Sequence, residues 1–162
     1  LGLPYPGGPH IDRLAKEGDK DSISFPRVYL EDDSYDFSFS GLKTAVLNYL
    51  NQEKQKGQEI SIENVAASFQ QAVLDILVDK SFKLANETGS KKIVLAGGVA
   101  ANQGLREMME ERGTKEGIQI YYPSRILCTD NAAMIGSAAY YNYRKGLISG
   151  LSLNAEPNLG LN

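Results

Sequence analysis

The segment at residues 91–102, KKIVLAGGVAAN, constrains the fold of this chain more than any other stretch. Its apolar residues 93–95 predict a short buried strand, and Gly97 and Gly98 predict a turn into a helix that starts near Val99. Glycine lets a ligand approach the backbone, and the first turn of a helix presents unpaired N–H groups at the positive end of its dipole. Asn102 adds an amide that can both donate and accept. The pattern is typical of nucleotide sites, but packing alone also produces it.

The rest of the chain predicts an α/β domain with helices on a sheet. Alternating residues at 22–28 and 35–39 predict a β-hairpin with its turn at 31–34, and residues 119–122 predict a further strand. Helical periodicity covers residues 40–56, 61–87, 101–112 and 132–145, and Gly113 is expected to end the third of these helices. We expect one lobe over residues 1–162, with residues 147–162 as a surface-wrapping or partly disordered tail.

Composition excludes several classes of protein. The net charge of −3 argues against this chain alone gripping nucleic acid, which requires clustered basic residues. No apolar run approaches the ~20 residues of a membrane span. The one cysteine, Cys128, excludes an internal disulfide and fits a reducing, cytoplasmic compartment, and the one histidine, His10, cannot supply a multi-histidine metal site.

A second candidate site follows the last predicted strand. Parallel strands present their carboxyl ends at one edge of a sheet, so Gly97, Gly98 and Asn102 are expected to share a crevice with Thr129 and Asp130. Asp130 could cap the following helix, or, if Thr129 is the cap, it could hold a cation near a phosphate. One carboxylate is too few for a closed metal site, so further ligands would come from outside the chain.

Four motifs occur in order along nearly the whole chain: YPGGP at residues 5–9, DFSFSGLKT at 36–44, LAGGVAAN at 95–102 and CTDNAAMIG at 128–136. Together they resemble the TsaD family, whose eukaryotic and archaeal members are the catalytic subunits of the KEOPS complex. Older names for this family are Gcp and O-sialoglycoprotein endopeptidase. The resemblance implies an actin-like ATPase (ASKHA) fold of two ribonuclease-H-like lobes, each with a mixed sheet flanked by helices.

The resemblance also implies a function. TsaD-family enzymes transfer threonylcarbamoyl from threonylcarbamoyl-adenylate to N6 of the adenosine that follows the anticodon in tRNA, with help from accessory proteins. By position in the motifs, Gly8 and Asp12 would contact the adenylate ribose, Asn102 would contact the nucleotide, and Gly97 and Gly98 would line the pocket. Asp130 would be a metal ligand, with iron the usual metal and zinc or magnesium in some members. The resemblance implies no catalytic nucleophile.

The chain departs from the family pattern in one large respect. The two metal histidines of the family belong to an N-terminal lobe, and His10 matches neither of them. We therefore expect this chain to correspond to the C-terminal half of the enzyme, to fold, and to be inactive alone. A lobe separated from its partner exposes apolar surface, so self-association is expected.

Other function classes remain open from the sequence. An actin-like kinase lobe would share the ATP pocket but would not require Asp130 with two external histidines. The metallo-glycoprotease of the older family name would normally carry a His-Glu-x-x-His helix, which is absent from this sequence. A non-catalytic binding module is a further alternative for this chain alone.

Overall fold

A computed structural model describes residues 1–30 and 34–155 of the chain. The helices and strands are α1 (Gly7–Leu14), α2 (Ser40–Gln55), α3 (Ile62–Glu87), β1 (Lys92–Val94), α4 (Gln103–Glu116), β2 (Gln119–Tyr121) and α5 (Ala132–Arg144). Short 3₁₀ turns at Gly98–Ala101 and Arg125–Leu127 follow the two strands. The chain divides into two compact units, Leu1–Cys128 and Thr129–Asn162, and each is described by itself. The single lobe expected over residues 1–162 stays a prediction.

The first unit is built on a two-stranded parallel sheet covered by α3 and α4. β1 and β2 pair in the register Lys92–Gln119, Ile93–Ile120 and Val94–Tyr121, which confirms the predicted parallel order. The helices and the sheet enclose a core of Leu74, Val78, Phe82, Ala85, Leu105, Met109 and Ile118. Full burial of each large apolar side chain of this set contributes about 1.5–3 kcal/mol.

A second core lies toward the beginning of α3. Its buried residues are Phe25, Leu42, Val65 and Ala72, and the aromatic ring of Tyr49 meets Phe25 edge-on with centroids 5.9 Å apart. α3 has apolar positions on more than one side of its 26 residues, so it supplies both cores. A serine at the start of a helical pattern predicts an N-cap, and Ser61 is that cap, because its Oγ accepts a hydrogen bond from Asn64 N at 3.1 Å.

The predicted β-hairpin is wrong for the described residues at 22–28 and 35–39, which form no strand. Their alternation reflects the packing of Ile23, Phe25 and Phe39 into the second core, and backbone groups of these residues and their neighbours bond to α3 side chains. Ile23 N donates to Ser68 Oγ at 3.1 Å, and the buried ammonium of Lys80 donates to the carbonyls of Ser34 and Asp36 at 2.9 and 2.5 Å. The predicted turn at residues 31–33 lies outside the described residues.

Polar contacts also hold the residues around Arg27 and Tyr29 against α3. Arg27 forms an ion pair with Asp75 at 2.8 Å, and the Tyr29 hydroxyl donates to Asp79 at 2.6 Å. Burial, and next the bond to Asp79, raise the pKa of Tyr29 to about 12, so the hydroxyl stays protonated at neutral pH. Asp79 also pairs with Arg112 of α4, so one carboxylate joins three parts of the unit.

Three local predictions need correction. β1 is not fully buried, because the helices cover one face of the sheet and Val94 on the other face is 70% exposed. The turn residues Pro6, Gly7, Gly8 and Pro9 predict a tight bend, but Gly7 and Gly8 form the first turn of α1. α4 does not stop at Gly113 but continues to Glu116, where Gly117 adopts φ +67°, a left-handed conformation that favours glycine.

The second unit contains α5 and the described part of the tail. Asn131, and neither Thr129 nor Asp130, caps α5, since its side chain accepts from Met134 N at 2.9 Å. The side chains of α5 and of residues 147–155 are exposed within the structure. The expected behaviour of the tail stays a prediction, and its residues 156–162 lie outside the described residues. Across the described ranges, no helix is both long and apolar enough to cross a membrane.

Gly113 provides a test of the close packing between α4 and β2. A Cβ at this position would lie 2.6 Å from Ile118 O and 2.8 Å from Ile120 Cγ1, so we expect Gly113→Ala to destabilise the chain by about 1–3 kcal/mol. Gly8→Ala is the matched control, because nothing lies within 4 Å of a Cβ there and alanine favours a helix. Urea unfolding of the 162-residue chain measures both changes. Equal stability of the two variants would contradict this account of the packing.

Candidate functional site

Asp12 lies where α1 meets the beginning of α4. Its Oδ2 accepts a hydrogen bond from Gln103 N, the first residue of α4, at 3.4 Å. Its other oxygen, Oδ1, is buried without a hydrogen-bond partner among the described residues. A buried carboxylate oxygen in that state is costly, so it is suited to accept a hydrogen bond from a ligand hydroxyl or amine.

Asn102 occupies the N-cap position of α4, immediately before Gln103. Its Oδ1 accepts from Leu105 N at 2.8 Å, and its Nδ2 donates to Gln70 Oε1 of α3 at 2.9 Å. Both ends of the amide therefore already hold a protein partner, which fixes its orientation. A ligand would use the second lone pair of Oδ1 or the second hydrogen of Nδ2.

Gly97 and Gly98 form the turn between β1 and the 3₁₀ segment that leads to Asn102. Gly97 has φ +81° and ψ 176°, a conformation in which a side chain is strained. Nothing lies within 4 Å of a Cβ built on Gly97, Gly98 or Gly8, so the space next to each of these glycines is open. Gly8 lies one helical turn before Asp12 on α1, which places the two on one side of that helix.

The first unit thus brings Asp12 and Asn102 together at the beginning of α4, with the glycine turn leading directly into them. The sequence predicts unpaired N–H groups in the first turn of this helix, but the structure shows that some of them already have partners. Gln103 N and Leu105 N are already bonded to Asp12 and Asn102, so two donors of the first turn of α4 are occupied. A negative charge from Asp12 also occupies the positive end of this helix, which favours a hydroxyl over a phosphate at that point.

Arg106 connects the glycine turn to the loop after β2. Its Nε donates to Ala100 O at 2.6 Å, and its Nη2 lies 3.0 Å from Pro123 O and 3.2 Å from Cys128 Sγ. The guanidinium also stacks on the ring of Tyr122, at 4.2 Å from the centroid. A hydrogen bond to Glu110, followed by burial, raises the pKa of Tyr122, so this ring stays neutral.

Asp130 belongs to the second unit and is exposed. Because Asn131 caps α5, the carboxylate of Asp130 is not used as the helix cap. An exposed carboxylate of this kind fits the role of one oxygen ligand of a cation. Among the described residues, no three potential metal ligands of the His, Cys, Asp or Glu type lie together. The crevice expected to join Asp130 to Gly97 and Gly98 stays a prediction.

Comparison with protein families decides the classification. The model of the TsaD family, described as tRNA N6-adenosine threonylcarbamoyltransferase, matches residues 1–137. The chain belongs to the TsaD family. Three curated relatives bear the name tRNA N6-adenosine threonylcarbamoyltransferase. This chain is 58% identical to the one from Clostridium beijerinckii, 57% to the one from Clostridioides difficile and 55% to the one from Halalkalibacterium halodurans. These three matches cover 99%, 100% and 99% of this chain but only 48%, 48% and 47% of the relatives, so the chain spans about half their length.

A solved structure agrees with the fold expected of a TsaD lobe. The crystal structure of full-length HypF in the phosphate- and nucleotide-bound form matches 89% of this chain and 18% of that chain, with TM-score 0.62 and 21% sequence identity. At this identity the likeness concerns the fold alone. It confirms the predicted fold class as an α/β lobe of the actin-like fold, but the sheet of the described residues has two parallel strands and is not the mixed sheet that the resemblance implies.

The sequence of this TsaD-family chain does not reveal that two further polar residues, Gln70 and Arg106, contact the candidate site. Gln70 lies between the apolar positions of α3, and Arg106 lies between Leu105 and Met109, which belong to the core. A long polar side chain on the apolar face of a helix is the only signal that either residue gives. Their partners come from distant parts of the chain, which periodicity does not show.

The cap role of Asn102 gives a stability test. Asn102→Ala removes the acceptor for Leu105 N and the donor to Gln70, so we expect a loss of about 1 kcal/mol. Asn102→Ser keeps a capping oxygen and should lose much less. Urea unfolding of the chain measures the difference, and full stability of Asn102→Ala would show that the cap contributes nothing.

Proposed function

We propose that the whole protein to which this chain corresponds is a tRNA N6-adenosine threonylcarbamoyltransferase. It would move threonylcarbamoyl from threonylcarbamoyl-adenylate to the adenosine that follows the anticodon. Membership of the TsaD family supports the reaction class. The observation that carries the substrate assignment is the placement of Asp12 at the beginning of α4, next to Asn102 and the turn of Gly97 and Gly98.

The geometry of this group suits an adenylate. An ionised carboxylate accepts hydrogen bonds and cannot donate them. The buried oxygen Oδ1 of Asp12, which has no partner among the described residues, therefore matches a ribose hydroxyl. Gly8, on the same side of α1, leaves room for the sugar to approach. The open backbone at Gly97 and Gly98 would face the more polar part of the ligand, and the fixed amide of Asn102 would orient the nucleotide.

The chemistry needs no covalent enzyme intermediate. The N6 amine of adenosine attacks the carbamoyl carbon, the new C–N bond forms, and the bond from that carbon to the phosphate oxygen breaks as AMP leaves. The amine loses one proton to the surrounding water, and AMP keeps the electron pair of the broken bond. Cys128 fits this view because its thiol is buried and held against Arg106 and the loop carbonyls, so it is not placed as a nucleophile.

A divalent metal is part of the proposal. Asp130 would provide one carboxylate oxygen, and two histidines would come from the half of the curated relatives that this chain does not span. Iron is our first choice, with zinc or magnesium as alternatives. When bound, such a metal would neutralise negative charge on the adenylate phosphate and polarise the anhydride.

Further partners follow from the same proposal. The net charge of −3 supports tRNA contacts made mainly by other parts of the enzyme and by accessory proteins. We place the reaction in the cytoplasm, where tRNA serves translation. For the chain alone, the exposed apolar side chains of α5, including Ile135, Tyr141 and Tyr143, support the proposal that it self-associates.

The full-length protein with Asp130→Ala tests the metal assignment. We expect both metal content and tRNA modification to fall by at least about tenfold, because one oxygen ligand is lost. Asp21→Ala is the matched control, since Asp21 is an exposed carboxylate in the first unit and should change neither quantity. Metal analysis and a threonylcarbamoyl-transfer assay give the two readouts. Survival of both in Asp130→Ala would refute the assignment.

Nucleotide binding by the chain alone tests the adenylate site. AMP titrated into the ¹⁵N-labelled chain should shift the amide signals of Gly97, Gly98 and the Asn102 side chain. Asp12→Asn should weaken this binding, because its amide cannot provide the same charged acceptor, whereas Asp21→Asn should not. If millimolar AMP moves none of these signals, this chain does not hold the nucleotide by itself.

A further inference from the structure

Arg106 of α4 stands out because it is a buried cation held by carbonyl oxygens. Its residue is 9% exposed, and none of the ion pairs in the part of the chain that the structure describes involves it. Burying an unpaired charge costs free energy unless hydrogen bonds compensate for it. We propose that Arg106 is a positioning residue of the adenylate site, holding the glycine turn and the loop after β2 in one fixed arrangement; this rests on the proposed function.

The contacts of Arg106 reach both sides of this arrangement. On one side, Nε donates to Ala100 O at 2.6 Å, inside the 3₁₀ segment that begins at Gly98. On the other side, Nη2 donates to Pro123 O at 3.0 Å and lies 3.2 Å from Cys128 Sγ. One planar group therefore bridges the turn that leads to Asn102 and the loop that holds Pro123 and Cys128.

The geometry requires arginine. The guanidinium offers several donors in one plane, so it can bond to two segments at once and still stack on Tyr122. A lysine at this position would carry a compact ammonium group, which has no planar face to stack on Tyr122 and no fork of donors to reach both segments. Arg106 follows Asn102 by four residues, so α4 fixes the cap and this bridge on one side of the helix.

The positive charge of Arg106 also affects ligand binding. The carbonyl oxygens that hold it carry only partial negative charge, so its positive charge is not cancelled by an ion pair. A buried cation bonded to Ala100, in the segment that follows Gly97 and Gly98, would favour an anionic group bound near that segment. This complements Asp12, which favours a hydroxyl at the beginning of α4.

The test uses the full-length enzyme with steady-state transfer kinetics. Arg106→Gln removes the charge and much of the bridge, so we expect the KM for threonylcarbamoyl-adenylate to rise about 10- to 100-fold while the KM for tRNA stays within about twofold. Arg112→Gln is the matched control on the same helix. It removes ion pairs with Asp79 and Glu116 but leaves the bridge intact, so it should change stability and not the KM for the adenylate.

Arg106→Lys separates positioning from a general need for folding. Lysine keeps the charge, so this variant should fold, but it cannot bridge both segments and should still raise the KM for the adenylate by about tenfold. In the ¹⁵N-labelled 162-residue chain, the same substitution should shift the amide signals of Gly98 and Ala100 more than Arg112→Lys does.

The outcomes are distinct. If either Arg106 variant folds and shows the same KM for the adenylate as the Arg112 control, the positioning role is wrong. If the unmodified full-length enzyme transfers no threonylcarbamoyl, the proposed function itself is wrong. A raised KM for tRNA with an unchanged KM for the adenylate would also overturn the inference, because it would place Arg106 at the RNA surface.

Discussion

The arrangement of the first unit depends on the burial of α3. This helix packs against α1, α2, α4 and β1, so it fixes the position of each element that carries a candidate site residue in that unit. Phe82 near its end is fully buried in one core, and Val65 near its beginning is fully buried in the other. Since both cores share one rigid helix, a shift of α3 would move Asp12 and Asn102 relative to each other.

The site is assembled from polar contacts laid over this apolar frame. Asp12 accepts a hydrogen bond from a backbone N–H of α4. Asn102 caps the same helix and also donates a hydrogen bond to Gln70 of α3. These bonds satisfy groups that a helix leaves without partners at its first turn. The residues proposed to contact the adenylate are thus partly the residues that hold this region together, so substitutions of Asp12 or Asn102 should also lower local stability.

The sequence predicts the helices of this chain well because their apolar period follows from the residues themselves. Ser61 and the parallel order of β1 and β2 were both visible in the pattern. The described residues at 22–28 and 35–39 are mispredicted, because an alternating pattern fits a strand ladder and an extended segment packed on a helix equally well. Leu42 and Phe25 are buried either way, so hydrophobicity alone does not distinguish the two.

Helix ends and site residues are likewise only partly predictable, because a local sequence pattern fits more than one structure. Gly113 and Gly117 are both plausible stops, but α4 continues through Gly113, which packs closely against Ile118 and Ile120, and ends at the left-handed Gly117. Gly97, Gly98, Asp12 and Asn102 could be picked from motifs that resemble a known family. Gln70 and Arg106 could not, since their roles exist only through partners far away along the chain.

The buried ammonium of Lys80 has a consequence for the behaviour of the chain in salt. Exposed ion pairs such as Lys115 with Glu111 are weakened by dissolved ions, whereas a buried charge bound to carbonyl dipoles is screened far less. High ionic strength should therefore loosen the surface of α4 first, while the segment that contains Ser34 and Asp36 keeps its place on α3.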